Sequence, residues 1–316
     1  TVTVLSIPMI AGVAFSDRIA IGLEEELYQD PVVYSHSSRH QRIVLTQWRG
    51  DLRLFLNGSL QFSSRDEYRY HEALVHPVMA HAERRDHVLV LGGGDGLAVR
   101  ELLRWPGVQT IDLVDLDGDV LDMASKHPAL LALNEGSLKD PRVRLHASDA
   151  LRFLQAAKGK RWDVIVMDLP DPSTPELSRL YARSSLRLIA RHLAPDGALV
   201  TQATSPFFAR RAFWCIVDSI ASLEAGGPGG PRLKTRPYRA TIPSFGPWGF
   251  AIASARAVDE TSLKVPFVTK HITGDTMAHS FLIPPDEART GDRCINRLNN
   301  AVLARVYRRG WSHFGE

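Results

Sequence analysis

Four acids in this chain follow short apolar runs closely enough to share one crevice. The first lies in Gly92-Gly93-Gly94-Asp95-Gly96, after the strand-like run His87-Val88-Leu89-Val90-Leu91 and before a helical pattern through Leu97, Val99, Leu102 and Leu103. Glycines let the backbone pass close under a ligand, because no Cβ blocks it. A loop that cradles phosphate avoids a carboxylate, which would repel it. Asp95 therefore argues for a cationic ligand, and a sulfonium nucleoside fits better than a dinucleotide. Asp115 closes the second run, Leu113-Val114-Asp115, where an acid can accept both hydrogen bonds of a ribose diol. Asp149 follows the third, where it could accept from an adenine amino group while the Ala150 amide donates to the ring; it equally suits the N-cap of a following helix. The fourth end reads Asp168-Leu169-Pro170-Asp171-Pro172, and two acids there would attract an amine and hold it as a cation. One acid at a strand end is ordinarily a turn or cap residue. Four converging on one crevice exceed what capping explains. An amine nucleophile has a pKa of about 10 and must shed a proton before it attacks, which a carboxylate hydrogen-bonded to it can accept.

These acids need a scaffold, and the hydrophobic pattern predicts one. Strands are expected at 87–91, 110–114, 143–146, 163–167 and 197–202, and helices at 96–104, 118–126, 149–156, 178–193 and 207–222. This alternation implies an α/β fold with a parallel sheet covered on both faces. Ligands then bind beyond the carboxyl ends of the strands. Two later runs, near 233–242 and 248–254, read as a strand pair, one of them antiparallel; Gly226 to Pro231 reads as a surface loop. Before the α/β part, residues 31–63 alternate apolar and polar, with turns at Arg49-Gly50-Asp51 and Asn57-Gly58, and predict a small antiparallel sheet. A helix is expected over 66–82, and Leu298 to Tyr307 also reads as helical. The organisation is thus an apolar segment 1–30, a small β domain 31–65, a nucleoside-binding domain 66–255 and a C-terminal extension 256–316.

Composition narrows the function classes. The 316 residues carry 38 basic and 35 acidic side chains, a net charge of +3, without a Lys/Arg block or an aromatic-interleaved basic stripe, so nucleic acid is excluded as the expected partner. Cys215 and Cys294 make no disulfide framework, which sets a reducing compartment as the expectation. The histidines are dispersed and the strand-end acids have a better use, so no metal site is expected. Val2 to Phe15 is mostly apolar, roughly fourteen residues against the about twenty that span a bilayer. It reads either as a docked helix or as the tail of a membrane segment.

The ordered set Asn57-Gly58-Ser59-Leu60-Gln61, Asp66-Glu67-Tyr68-Arg69-Tyr70-His71-Glu72, Gly92 to Gly96, Asp149-Ala150, Asp168 to Pro172 and Tyr238 to Pro243 resembles the spermidine synthases, the polyamine aminopropyltransferases. The resemblance covers roughly residues 30–255 and is closest to a bacterial subgroup, some of whose members carry an N-terminal membrane region. It implies a Rossmann-like, class I methyltransferase-type doubly wound sheet behind a small antiparallel β domain. It implies aminopropyl transfer from decarboxylated S-adenosylmethionine, a co-substrate with no prosthetic group beside it, to an amine, putrescine-like first. It assigns Asp168 as base or orienter of that amine. Gln61, Tyr70, His71, Asp171 and Tyr238 would bind substrate, and Gln41, Gly92, Gly94, Asp95, Asp115, Asp149 and Ala150 the nucleoside. Tyr70 and Tyr238 also read as packing residues, and His71 as a hydrogen-bonded structural histidine. A homodimer or homotetramer in the cytoplasm is expected, with attachment to the inner membrane's cytoplasmic face if a membrane region precedes the chain. Two departures bear on the acceptor: Leu169-Pro170 stands where many relatives have two small polar residues, and Phe245-Gly246-Pro247-Trp248 replaces a tyrosine-containing stretch. A methyltransferase on the same fold, or a sensor without turnover, is the competing reading.

Overall fold

A computed structural model describes Tyr28 and residues 30–314. The chain divides into two units, Thr1–Arg65 and Asp66–Glu316. In the first, β1 (Val32–Ser37), β2 (Arg42–Trp48), β3 (Asp51–Leu56) and β4 (Ser59–Ser63) form an antiparallel meander. Both tight turns use left-handed backbone, at Arg49-Gly50 and Asn57-Gly58, which twists the hairpins with their strands. The apolar N-terminal segment lies outside the described residues. Among those, no helix is long and apolar enough to cross a membrane.

The second unit starts with α1 (Glu67–His81) and then alternates: β5 (His87–Gly92), α2 (Leu97–Leu103), β6 (Thr110–Asp115), α3 (Gly118–Lys126), α4 (Pro128–Leu133), β7 (Val143–Ala147), α5 (Ala150–Ala156) and β8 (Trp162–Asp168). After it come α6 (Pro175–Ser178), α7 (Arg183–Arg191), β9 (Leu193–Gln202), α8 (Arg210–Ala221), β10 (Lys234–Ile242), β11 (Gly246–Ser254), α9 (Gly274–Ser280) and α10 (Val302–Trp311). The seven-stranded sheet runs β10-β11-β9-β8-β5-β6-β7, with β11 antiparallel to its neighbours. The central strands are buried on both faces, Val88 to Leu91 and Val164 to Met167 being fully inaccessible. The order reverses beside β5, so the crevice opens where β5 and β8 end side by side. Register pairs Gly92 with Asp168.

Several expectations are corrected. The helix expected over 178–193 breaks into α6, a 3-10 turn at Arg179–Tyr181 and α7, because Ala182 is extended (φ −70°, ψ 146°) and Pro175 starts a separate capped turn. The helix expected from Leu298 begins only at Val302. The Asn300 carboxamide accepts from the Arg297 and Val302 amides and closes a turn first, and Ala301 is left-handed at φ 40°. Cys215 on α8 and Cys294 form a disulfide with Cα atoms 4.6 Å apart, against the expectation of unpaired thiols. Asp218, on the same helix, accepts from the Cys294 amide at 2.9 Å and pairs with Arg289, which brings the second sulfur to α8. Residues 256–314 include segments that pack onto the α/β part: the Glu72 carboxylate accepts from the amides of Lys270, His271 and Ile272.

Candidate functional site

Asp168 sits at the end of β8, and its Oδ1 accepts from the Tyr70 hydroxyl at 2.7 Å. Its other oxygen faces the glycine loop: a Cβ on Gly93 would lie 3.0 Å from Oδ2, and one on Gly92 only 2.0 Å from the Asp168 carbonyl oxygen. Gly92 and Gly93 both have positive φ, 80° and 69°. The loop therefore needs glycine for conformation and for space. Gly94 continues the approach, its amide donating to Asp115 Oδ2 at 3.0 Å, while Asp115 Oδ1 accepts from the Asp117 amide. Asp95 Oδ1 accepts from the Leu97 amide at 2.9 Å, so the acid that should recognise a cation also closes a turn onto the first residue of α2.

The site is electrostatically under-compensated. Burial pushes the Asp95 carboxyl up to about 6; the nearby His71 opposes this and Asp168 adds to it. Burial likewise raises Asp168, against His71 and the Tyr70 hydroxyl, and raises Asp115. Asp171 is pushed up to about 6 by burial, with Tyr307, Gln202 and Thr204 donating against the rise. Burial and then the Asp168 charge hold Tyr70 far above the ordinary phenol range, so it remains a donor. Buried carboxylates with raised pKa values accommodate a cation, which restores the charged form.

Asp95, Asp168, Tyr70 and His71 thus meet at one place, with Asp115 joined through Gly94 and Asp171 through the loop after β8. His71 is less free than its expected substrate role requires. Its Nδ1 lies 2.8 Å from both the carbonyl and Oε2 of Glu67; burial lowers its basicity, but Glu67 outweighs that and raises it. Asp149 caps α5, accepting from the Arg152 amide at 2.9 Å, with Ala150 as the first helical residue. Gln41 precedes β2 in the first unit, held in a turn with Ser38, and Gln61 lies on β4 with its amide donating to the Ser59 carbonyl at 2.9 Å.

Tyr238 corrects its expected place. It is fully buried, stacked on Phe250, and its hydroxyl donates to the Ala73 carbonyl at 2.8 Å. That carbonyl would ordinarily accept from the amide four residues on, but residue 77 is proline, inside α1. Tyr238 supplies the missing donor, which uses its hydroxyl hydrogen within the helix.

The fold agrees with known proteins. Residues 67–264 match the spermine/spermidine synthase domain model. The chain belongs to that family. It is 40% identical to a polyamine aminopropyltransferase of Oceanobacillus iheyensis over 314 residues, 98% of this chain and 60% of that protein. It is 44% identical to polyamine aminopropyltransferase 2 of Ralstonia nicotianae over 306 residues, 96% of this chain and 58% of that one. The chain thus spans about three-fifths of the length of these curated relatives. A crystal structure of a spermidine synthase with the transition-state analogue AdoDATO superposes with a TM-score of 0.71 at 26% identity, covering 80% of this chain and 85% of that one. The spermidine synthase of Thermotoga maritima gives 0.70 at the same identity, covering 80% and 84%.

In this member of the spermine/spermidine synthase family, residues without a sequence motif hold the loop after β8 in place. Gln202, at the end of β9, donates to the Leu169 carbonyl at 2.8 Å and to Asp171 Oδ1 at 3.2 Å, while its Oε1 accepts from the Thr204 amide. The Tyr181 hydroxyl donates to the carbonyls of Leu169 and Pro170. Gln202 was findable, since it ends a fifth strand just as the four acids end theirs. Tyr181 had no local signal. Glu72, His76 and Glu101 also bring ligand-type atoms within 4.8 Å of one another, despite the apparent dispersal of the histidines. They already have protein partners: three amides on Glu72, the Trp105 indole on His76 Nδ1, and Arg100 and Arg104 on Glu101.

Proposed function

We propose that this protein transfers an aminopropyl group from decarboxylated S-adenosylmethionine to a putrescine-like diamine, giving a spermidine-type product and methylthioadenosine. The carrying observation is the crevice of under-compensated carboxylates, with Asp168 hydrogen-bonded to Tyr70 against the glycine loop. Asp115 holds the ribose diol, and Asp149 with the Ala150 amide holds the adenine. Gly92 and Gly94 give the nucleoside its close approach. Asp95 pairs with the donor's terminal ammonium. Ordinary S-adenosylmethionine adds a carboxylate there, which meets a like charge.

Asp168 accepts a proton from the attacking nitrogen, and Tyr70 fixes the carboxylate that does so. The nitrogen lone pair forms the new C–N bond as the C–S bond breaks. Its electrons neutralise the sulfonium, and methylthioadenosine leaves. Much of the acceleration comes from holding the amine in line with the C–S bond. Asp171 holds the acceptor's distal ammonium. No prosthetic group enters this scheme. The proposal includes a homodimer or homotetramer and, because the donor's chemistry belongs in the cytosol, a cytoplasmic location; the Cys215–Cys294 disulfide counts against the reducing compartment that the cysteine content alone implied.

The test is a product assay by mass, with decarboxylated and ordinary S-adenosylmethionine as parallel donors and a panel of diamines, agmatine and spermidine as acceptors. Methylthioadenosine with one aminopropylated diamine is the expected result. Methylation from the ordinary donor alone would move the protein to the methyltransferases, and binding without product would make it a sensor.

A further inference from the structure

We propose that Tyr307, carried by the last helix, is a positioning residue for the acceptor amine: it fixes the Asp171 carboxylate so that one oxygen direction remains for the amine's distal ammonium. The inference rests on the aminopropyltransferase reading above and deepens it. A carboxylate offers about four acceptor directions. On Asp171, Oδ2 accepts from the Tyr307 hydroxyl at 2.8 Å and from Thr204 Oγ1 at 3.3 Å, and Oδ1 accepts from Gln202 at 3.2 Å. Oδ2 is thereby filled, and one direction on Oδ1 is left. Tyr307 makes the shortest of the three bonds. Burial and then the Asp171 charge raise the phenol's pKa, so it stays a donor across the working range.

The rest of the C-terminal segment holds that hydroxyl in place. Asn296 is tied on three sides: its amide donates to Ser219 Oγ at 2.9 Å, its side chain donates to the Ser178 carbonyl at 2.7 Å, and its carbonyl accepts from the Arg183 amide at 2.8 Å. The Cys215–Cys294 disulfide anchors the chain two residues earlier. On the helix itself, a Cβ at Gly310 would fall 2.8 Å from Ala209 Cα and from the Phe208 carbonyl oxygen, so glycine permits the close approach. Trp311 completes the contact against Phe208, with ring centroids 5.0 Å apart. Opposite Tyr307, the bonds from Tyr181 and Gln202 pin the backbone before Asp171. Asp171 is clamped from both sides, and a segment of no assigned role supplies one jaw.

The test compares Tyr307→Phe with Tyr307→Gln, which keeps a donor, using putrescine and a monoamine of equal reach as acceptors. Removing one hydrogen bond to an ionised group should raise the putrescine KM about tenfold with kcat within about twofold. The monoamine kinetics should not change. Because the Tyr307 bond opposes the rise caused by burial, the acid limb of kcat/KM for putrescine should move to higher pH in Tyr307→Phe and return toward wild type in Tyr307→Gln. A stability loss common to both variants leaves that difference readable. Equal effects on both amines, or an acid limb that moves in neither variant or in both alike, would overturn the role of Tyr307 while leaving the transferase reading intact. Absence of aminopropyl transfer by the wild-type protein would overturn both.

Discussion

Two groups of buried charge share α1 and the turn into α2, and they are built on opposite principles. In one, Glu67 takes both outer nitrogens of Arg100 at 2.9 and 3.0 Å and His71 at 2.8 Å, while Glu101 takes Arg100, Arg104 and His76. Burial pushes both glutamates up, and the cations more than reverse it: Glu67 ends below its ordinary range and Glu101 at about 2. In the other, Asp95, Asp168 and Asp171 are partly buried, their hydrogen-bond partners are amides and hydroxyls, and all three are raised. The first group is electrically complete and acts as a brace. The second is short of positive charge, since Asp95 and Asp168 have only the nearby His71, itself paired with Glu67, and that shortage is what a binding site for a sulfonium donor and a polyamine requires. Residue type does not separate the two groups; the presence of a fixed cation does.

The sharpest way to break the comparison is to remove charge from each side. Asp168→Asn should leave the melting temperature near that of wild type while kcat/KM falls about a thousandfold, within the range for loss of a general base. Retained activity would return Asp168 to the role of a loop acid. Arg100→Met should do the reverse. Leaving Glu67 and Glu101 buried without their shared cation costs about 3–5 kcal/mol, read by chemical denaturation. A loss under about 1 kcal/mol would show that the brace is no stronger than a surface pair.

A finer contrast uses the sign of the pKa shift. A carboxyl whose folded pKa is raised favours the folded state below its unfolded pKa, near 3.8, and loses that contribution as pH rises through the folded value, about 6 for Asp95. Above pH 7 its ionised form therefore costs about 3 kcal/mol of stability. Asp95→Asn keeps the oxygen that accepts from Leu97 and removes this cost. The variant should be more stable than wild type at pH 7.5, with the gain vanishing below about pH 4. It should also bind the decarboxylated donor more weakly and discriminate less against ordinary S-adenosylmethionine. Equal stability at both pH values would mean that the carboxylate is already compensated.

How much of this the sequence disclosed follows from the same distinction. The central strands were legible because strands buried on both faces are continuous apolar runs, and β5, β6, β7 and β8 each end at or within three residues of an acid. The carboxylates of the crevice were legible for that reason. What escaped was set by distant pairing. Asp171 and Tyr307 are 136 residues apart, and the helix that joins them starts four residues later than its apolar pattern suggests because Asn300 closes a turn first. The two cysteines, 79 residues apart, have no shared local pattern. Asp149 reads the same as a cap and as an adenine acceptor, and the structure supplies the cap.

Tyr238 gives the smallest test and the most pointed one, because resemblance and geometry disagree about it. An amine-binding hydroxyl would face the crevice, whereas this one donates into α1 at Ala73, where Pro77 has removed the helix's own donor. Tyr238→Phe strands a buried carbonyl and should cost about 1–2 kcal/mol of unfolding free energy. Because Tyr238 and Tyr70 both pack on Phe250, at 5.3 and 5.4 Å, the aromatic wall survives the loss of one oxygen. The KM for the amine should therefore stay within about twofold of wild type, well short of the tenfold that a lost hydrogen bond to substrate brings. The double variant with Pro77→Ala sharpens the point: alanine restores the amide that the Ala73 carbonyl lacks, so Tyr238→Phe should cost less in that background. A KM that rises tenfold in Tyr238→Phe whichever residue occupies position 77 would instead place the hydroxyl on the substrate.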